Sequence, residues 1–140
     1  MYDTAHWAYG AGMRILVVDD KFQSRWVIAG WLSAFLNGVA VESAASADEA
    51  LAAIEQRRPD LVLAAHPLPE IDGIEFARQV KAQQDSPTVV VMTEQSSADF
   101  VAACAAAGAD CWLEKRHLQA RLLVFLQERF SLKLARQIPV

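Results

Sequence analysis

The sequence predicts an α/β fold in which one sheet of five parallel strands is covered by helices on both faces. Short apolar runs, which suit buried parallel strands, alternate five times along the chain with longer segments of helical periodicity. Turn-forming residues such as Gly, Pro, Asn and Asp stand at most of the junctions. Because 140 residues suffice for one domain and no internal repeat is visible, we predict a single doubly wound domain.

The five predicted strands are short and mostly apolar. The third and the fourth are continuous apolar runs, so we expect them at the centre of the sheet, where both faces of a strand are buried. The predicted ranges are Arg14–Val18, Val39–Ser43, Leu61–Ala65, Thr88–Thr93 and Cys111–Leu113.

The predicted helices are bounded by recognisable end signals. Ser46 and Glu49 have the spacing of a capping box, and Gly108 is placed to end the fourth helix. The predicted ranges are Phe22–Leu36, Ala47–Arg57, Ile74–Gln83, Ala98–Ala107 and Leu118–Phe130. In the first helix we expect four large side chains to pack on the sheet or at its rim: Trp26, Trp31, Leu32 and Phe35.

The charge, the apolar runs and the cysteine spacing of the chain disfavour several classes of protein. A formal charge of −4 argues against a free-standing nucleic-acid binder, which usually carries a basic surface. No run of about 18 apolar residues is present, so no membrane span is predicted, and no secretory signal is recognisable. Cys104 and Cys111 lack metal-ligand spacing and fit small buried side chains in a reducing compartment. We therefore expect a cytoplasmic protein without direct nucleic-acid or membrane binding.

Polar residues stand where the predicted strands end. Asp19 and Asp20 follow the first strand, Thr93 ends the fourth, and Lys115 follows the fifth. Because open parallel sheets form their sites at the carboxyl ends of the strands, we expect these side chains to lie close together. The two carboxylates could hold a metal ion or cap the first helix, and Lys115 could form an ion pair with them.

With these landmarks in this order, the chain resembles the receiver domains of two-component response regulators. The resemblance rests on the segments ILVVDD, PDLVL with P-x-x-DG after it, TVVVMT and GADCWLEK, and it extends over 13–130. It implies a flavodoxin-like fold and a signalling role rather than an enzymatic one. In that family, carboxylates hold Mg²⁺ while an aspartate after the third strand accepts a phosphoryl group.

The resemblance also assigns roles to individual residues. Asp19 and Asp20 match the acidic pair, with Asp20 expected as the direct metal ligand. Ala65 stands where the family has its acceptor aspartate, so we expect a degenerate receiver in which Mg²⁺ binding is weak or lost and no other cofactor is used. The remaining matches are Thr93 as the switch hydroxyl, Trp112 as the switch aromatic (or simply a space-filling residue), and Lys115 as the phosphate-sensing lysine.

Three more residues depart from the family pattern around this pocket. Glu94 stands where a small residue is usual, and is either a solvated loop residue or a fixed negative charge beside Lys115. His66 replaces an aliphatic residue, and we expect it to be buried and hydrogen-bonded. Arg116 replaces a proline; since a cis bond costs about 2.5–4 kcal/mol without proline, we expect a trans peptide and a less tightly placed Lys115.

These expectations favour an atypical receiver that acts through protein–protein interaction without phosphorylation. The alternative is a regulator phosphorylated on Asp19 or Asp20. An unrelated flavodoxin-like catalyst is disfavoured, because no Gly-rich phosphate loop follows the first strand. We expect the partner, whether a kinase, an output domain or a second receiver in a homodimer, on the face of the fourth helix, fifth strand and fifth helix. Residues 1–12 are an expected amino-terminal extension and 131–140 a tail or linker.

Overall fold

A computed structural model describes residues 12–131, which form five strands and five α-helices in strict alternation. The expectations for 1–11 and 132–140 lie outside these residues. The strands are β1 (Arg14–Val18), β2 (Ala40–Ala44), β3 (Leu61–His66), β4 (Thr88–Thr93) and β5 (Cys111–Glu114). The helices are α1 (Phe22–Phe35), α2 (Ala47–Gln56), α3 (Gly73–Lys81), α4 (Ala98–Ala107) and α5 (Leu118–Phe130), with a short 3₁₀ turn at Lys115–His117 before α5.

The strands form one parallel sheet in the order β2-β1-β3-β4-β5, which confirms the predicted doubly wound fold. The chain order reverses between β1 and β3, which is where open parallel sheets leave a crevice for a site. In the register of this pair, Val18 stands beside Ala64. Asp19 and Ala65 each come one residue later, so they reach the same level at this edge of the sheet.

The core lies on both faces of the central strands. All six residues of β4 and the first five of β3 are buried, as the unbroken apolar runs predicted. Helix ends are fixed by the expected side chains: Ser46 Oγ accepts from the Glu49 amide, and Gly108 adopts a left-handed conformation with φ of 84°. Burial of each large aliphatic side chain stabilises the fold by about 1.5–3 kcal/mol.

The prediction for Trp26 in α1 is wrong. Its side chain is 70% exposed, whereas Leu32 and Phe35 are buried as predicted and Trp31 is half-buried. The stripe that faces the sheet begins at Ile28, and two residues along a helix turn a side chain by about 200°, to the opposite face. Because α1 is apolar nearly all round, its pattern did not define which face packs on the sheet.

The end of β3 and the start of α3 approach each other closely. A Cβ atom added at Gly73 would lie well inside the van der Waals contact distance to the Ala65 carbonyl oxygen and 2.9 Å from the Ala65 carbonyl carbon. The two nearest atoms belong to the backbone, so they cannot move away by a side-chain rotation. Glycine in the segment P-x-x-DG therefore sets the distance between α3 and the edge of the sheet where Ala65 lies.

We predict that Gly73→Ala lowers the free energy of unfolding by about 2 kcal/mol or more, since it forces apart packed backbone segments. Gly30→Ala is the matched control, because a Cβ there meets nothing within 4 Å and alanine favours the helix by about 0.5–1 kcal/mol. Urea denaturation followed by circular dichroism measures both. A Gly73→Ala variant as stable as the parent would contradict the close approach.

Candidate functional site

Lys115 joins three loops at the carboxyl edge of the sheet. Its Nζ lies 2.7 Å from Asp19 Oδ2, after β1, and 3.7 Å from Glu94 Oε1, after β4. It also donates to Ser24 Oγ in α1 at 3.3 Å. Three of the residues singled out in the sequence therefore come together, and we call Asp19, Glu94 and Lys115 the ion cluster. Ser24 was missed, because its hydroxyl reaches Lys115 only through the packing of α1.

Asp19 is the buried member of the ion cluster. Its other carboxylate oxygen, Oδ1, accepts from the Lys21 amide at 3.0 Å. Burial by itself would raise the pKa of Asp19, but hydrogen bonds from Lys115, the Lys21 amide and Ser24 outweigh it and leave this pKa below its ordinary value. Asp19 is thus an ionised, fully engaged carboxylate. The geometry supports the ion pair considered for it, whereas the capping role considered for the acidic pair is wrong, since Lys21 is the N-cap of α1 and no side chain caps this helix.

Asp20 is exposed, and no hydrogen bond or ion pair joins it to another residue in 12–131. The donor set does not fit the Mg²⁺ site of the family. Both oxygens of Asp19 already accept hydrogen bonds, Ala65 offers a methyl group, and no three His, Cys, Asp or Glu side chains within the described part of the chain are grouped to hold a metal.

Ala65 and Thr93 end the two central strands and are both buried. Ala65 pairs in register with Met92, at the level of Asp19, and its side chain brings no oxygen to this edge of the sheet. The hydroxyl of Thr93 donates to the Gln95 carbonyl at 3.2 Å, so it is engaged within its own loop. Neither side chain is available to the ion cluster.

Glu94 combines the two alternatives considered for it. Its side chain is 66% exposed, yet its carboxylate lies between two ammonium groups, 3.7 Å from Lys115 Nζ and 4.0 Å from Lys21 Nζ. Exposed pairs at such distances contribute between about 0 and 1 kcal/mol to stability. Its effect is therefore to place negative charge beside Lys115 rather than to hold the fold together.

His66 begins a chain of three aromatic rings that leads from β3 to β5. Its ring lies 5.4 Å from Phe100 in α4, which in turn meets the half-buried Trp112 edge-on at 5.9 Å. The expectation of a buried, hydrogen-bonded histidine is wrong, because the residue is half-buried and its Nδ1 atom lies out of solvent without a partner. The ring packs against Phe100. Phe100 was missed because it looked like an ordinary core residue.

Glu114, which was also missed, connects the loops that follow β4 and β5. It accepts from both the amide and the hydroxyl of Ser96 at 3.0 Å, and its second oxygen accepts from Arg116 at 3.1 Å. The bonds from Ser96, aided by Arg116, lower the pKa of Glu114 to about 2. Its position beside Lys115 at the end of β5 was the available signal.

Arg116 pairs with Glu114 instead of entering the ion cluster. The only cis peptide bond in residues 12–131 precedes Pro67, so the bond between Lys115 and Arg116 is trans, as expected. The expectation that Lys115 is less tightly placed than in the family stays a prediction. Asp19 and Ser24 fix its ammonium group directly, and this does not depend on a proline after it.

Comparison with known proteins agrees with this architecture. The family described as the response regulator receiver domain matches residues 15–127. The response regulator MprA of Mycobacterium avium is 38% identical over 111 residues, which cover 79% of this chain and 48% of that protein. The corresponding protein of Mycobacterium leprae is 36% identical with the same coverage. The chain thus spans about half the length of the curated relatives it matches.

Solved structures give the same result. The chemotaxis protein CheY4 of Vibrio cholerae is 29% identical, with a TM-score of 0.74 over 84% of this chain and 98% of its own. A response regulator receiver domain protein of Methanospirillum hungatei is also 29% identical, with a TM-score of 0.71 over 85% of this chain and 94% of its own. With the family match over most of the chain, these likenesses establish that it belongs to the response regulator receiver domains of two-component signalling.

Proposed function

We propose that this receiver works without phosphorylation and acts as a protein-interaction module. The observation that carries the proposal is Ala65, which stands at the end of β3, at the level of Asp19, where the family has its acceptor aspartate. A methyl group forms no acyl phosphate and ligates no metal. We therefore propose that the domain is not an enzyme and does not require Mg²⁺. The exposed carboxylate of Asp20 is the group that would bind this ion weakly.

The ion cluster supports this proposal. In the family's chemistry a lysine offsets the negative charge of the phosphoryl group, whereas Lys115 is already neutralised here by a buried carboxylate. Glu94 adds a second, permanent negative charge on the solvent side. These two carboxylates place negative charge beside Lys115, as a phosphoryl group would, while the Thr93 hydroxyl is held by the Gln95 carbonyl in its own loop. We infer that these contacts hold the loops after β1, β4 and β5 in one conformation without phosphorylation.

A groove between β5 and α5 offers a face for the partner. It has a volume of about 380 Å³, and Val124 at its side is one of few exposed large apolar residues among those described. The lining residues are Leu113, Ala120, Arg121, Val124, Phe125 and Glu128. We propose this face, with α4 beside it, for a kinase, an output domain or a second copy in a homodimer, through an interface of modest area.

The proposal also covers the cellular location of the protein and the kinds of partner it binds. Within 12–131, no helix is both long enough and apolar enough to cross a bilayer. The net charge of −4 disfavours direct nucleic-acid contact. We propose a cytoplasmic signalling role in which specificity comes from protein contacts.

Phosphorylation on a different carboxylate is the second candidate. Asp20 favours it, since this carboxylate is exposed and unpaired within the described residues, unlike the engaged Asp19. Treatment with a small phosphodonor followed by measurement of the intact mass decides between the two candidates. A phosphorylated aspartate adds the mass of one phosphoryl group, and this group is labile to base.

We predict that incubation with acetyl phosphate and Mg²⁺ leaves the intact mass of the chain unchanged. A receiver with an acceptor aspartate, treated in parallel, gains one phosphoryl group and shows that the reagent works. A base-labile gain that disappears in Asp20→Asn would establish the second candidate and overturn the first.

We predict that Ala65→Asp does not restore labelling under these conditions. The new carboxylate would enter an edge where Asp19 and Glu94 already supply negative charge and Lys115 is engaged. The triple change Ala65→Asp with Glu94→Ala and Arg116→Pro, which also removes two of the other three departures and keeps His66, is the matched comparison and should label faster. Ready labelling of the single variant would show that Ala65 alone blocks phosphorylation.

We predict that Lys115→Met lowers the free energy of unfolding at neutral pH by about 3 kcal/mol, because it leaves the buried Asp19 charge without its partner. Asp19→Asn in the same background should recover part of the loss. Since the pKa of Asp19 is lowered in the folded protein, its contribution is present above its ordinary value of 3.8 and is lost as pH falls through the lowered pKa.

The cost of Lys115→Met should therefore shrink as the pH of the urea titration falls, because burial without Lys115 favours protonation of Asp19 in the variant and the parent loses its own contribution as pH falls through the lowered pKa. Lys21→Met is the control, because Lys21 is exposed and lies 4.0 Å from Glu94, and it should cost less than about 1 kcal/mol. Equal costs for the two lysines would contradict the assigned role of the ion pair.

A further inference from the structure

One helix carries most of the exposed large apolar side chains of the described residues. Phe22 is 66% exposed, Trp26 70% and Val27 55%, and in 12–131 only Val124 joins them. Phe22 and Trp26 are four residues apart and so lie on one side of α1. A helix that is apolar on its outer side as well as its inner side is normally covered by another element.

The exposed side of α1 carries no charged residue. It lies opposite Ile28 and Leu32, which face the sheet. We call its six exposed residues the outer face of α1: Phe22, Gln23, Trp26, Val27, Gly30 and Ser33. Two copies of this face can approach each other without bringing like charges together, although the chain as a whole carries a formal charge of −4.

Large and small residues are separated along the outer face. Phe22 and Trp26 stand in the first half of the helix, and Gly30 and Ser33 in the second half. If two α1 helices pack antiparallel about a two-fold axis at the level of Ile28, Trp26 of each copy meets Gly30 of the other. Each ring then fills the space that a glycine leaves. An isologous interface requires a patch that is complementary to its own rotated copy, and this one is.

Gly30 has no structural role among the described residues. A Cβ atom added there meets nothing within 4 Å, and glycine weakens a helix interior relative to alanine. The absence of a side chain at this exposed position is useful only where a neighbour from outside the described residues comes close. A tryptophan ring of a second copy is such a neighbour.

The charges at the ends of α1 are complementary in the same arrangement. The first turn of α1 contains no acidic residue and its last turn no basic residue, while the ammonium group of Lys21 stands 64% exposed at the N-cap. The carboxyl end of a helix carries partial negative charge and favours a nearby cation. Antiparallel packing brings Lys21 of each copy to the carboxyl end of the other helix, which lacks a cation of its own.

The area of the contact indicates a weak dimer. A fully covered aromatic side chain buries about 150–250 Å², so the three exposed apolar residues of the outer face would together remove roughly 300–400 Å² per copy. A shallow groove between α1 and α5, of about 330 Å³, continues this surface from Val27 to Trp31, Leu118 and Arg116. The total stays in the range of transient complexes, below about 1,200 Å².

We propose that this receiver associates with a second copy of itself through the outer faces of two antiparallel α1 helices. The occupant is a second copy because the large half of the face fits its own small half, and because each end of the helix supplies the charge that the other end lacks. The outer face is separate from the groove between β5 and α5, so the inference does not depend on the partner proposed for that groove.

Sedimentation velocity of the full chain, from low to high micromolar concentration, tests the proposal. The parent should pass from monomer to dimer as concentration rises. Trp26→Ala removes the ring and Gly30→Trp fills its space, so each should weaken association by about tenfold or more. Trp26→Ala combined with Gly30→Trp exchanges the two positions and should recover the dimer, because a tryptophan again faces a small residue.

The variants separate this interface from other forms of association. Gly30→Trp adds apolar surface, so an unspecific apolar contact would become stronger, and that result overturns the proposal. Val124→Ser, in the groove between β5 and α5, should leave association unchanged; loss of the dimer in this variant alone places the interface at that groove and overturns the proposal. A chain that stays monomeric at every concentration leaves the outer face to a different molecule and overturns it equally. Circular dichroism checks that each variant is folded.

Discussion

The ion pair between Lys115 and Asp19 is the interaction on which the arrangement of this edge of the sheet depends. It joins the ends of β1 and β5, which are separated in the sheet by β3 and β4. A carboxylate so deeply buried is tolerable only with a close cation and full hydrogen bonding, and Asp19 has both. Lys115 is thereby fixed over the central strands, and the position of Glu94 follows from that of Lys115.

Much of the fold followed from local patterns in the sequence, because those patterns are themselves the physical causes. Unbroken apolar runs made β3 and β4 central strands, and the Ser46 hydroxyl caps α2 because its spacing to Glu49 allows it. The meeting of Asp19 with Lys115 followed from topology alone, since parallel strands that share a sheet bring their carboxyl ends to one edge.

What the sequence did not reveal depends on long-range side-chain packing. The phase of α1 was ambiguous because both of its faces are apolar, so Trp26 was placed on the wrong side. The bonds between Glu114 and Ser96 join residues 18 positions apart through loop conformations that no periodicity encodes. The unpartnered Nδ1 of His66 arises from ring packing against Phe100, which is likewise a property of the folded chain.

The double use of Glu114 has a mechanical consequence. One oxygen holds Ser96 in the loop after β4, and the other holds Arg116, which lines the groove beside α1. The two loops therefore cannot rearrange one at a time without breaking a charge-assisted bond. A molecule in the groove between α1 and α5 would contact Arg116, and Arg116 is separated from the loop that bears Glu94 by the bonds of a single carboxylate. The same side chain therefore stands between the rim of that groove and the loop after β4.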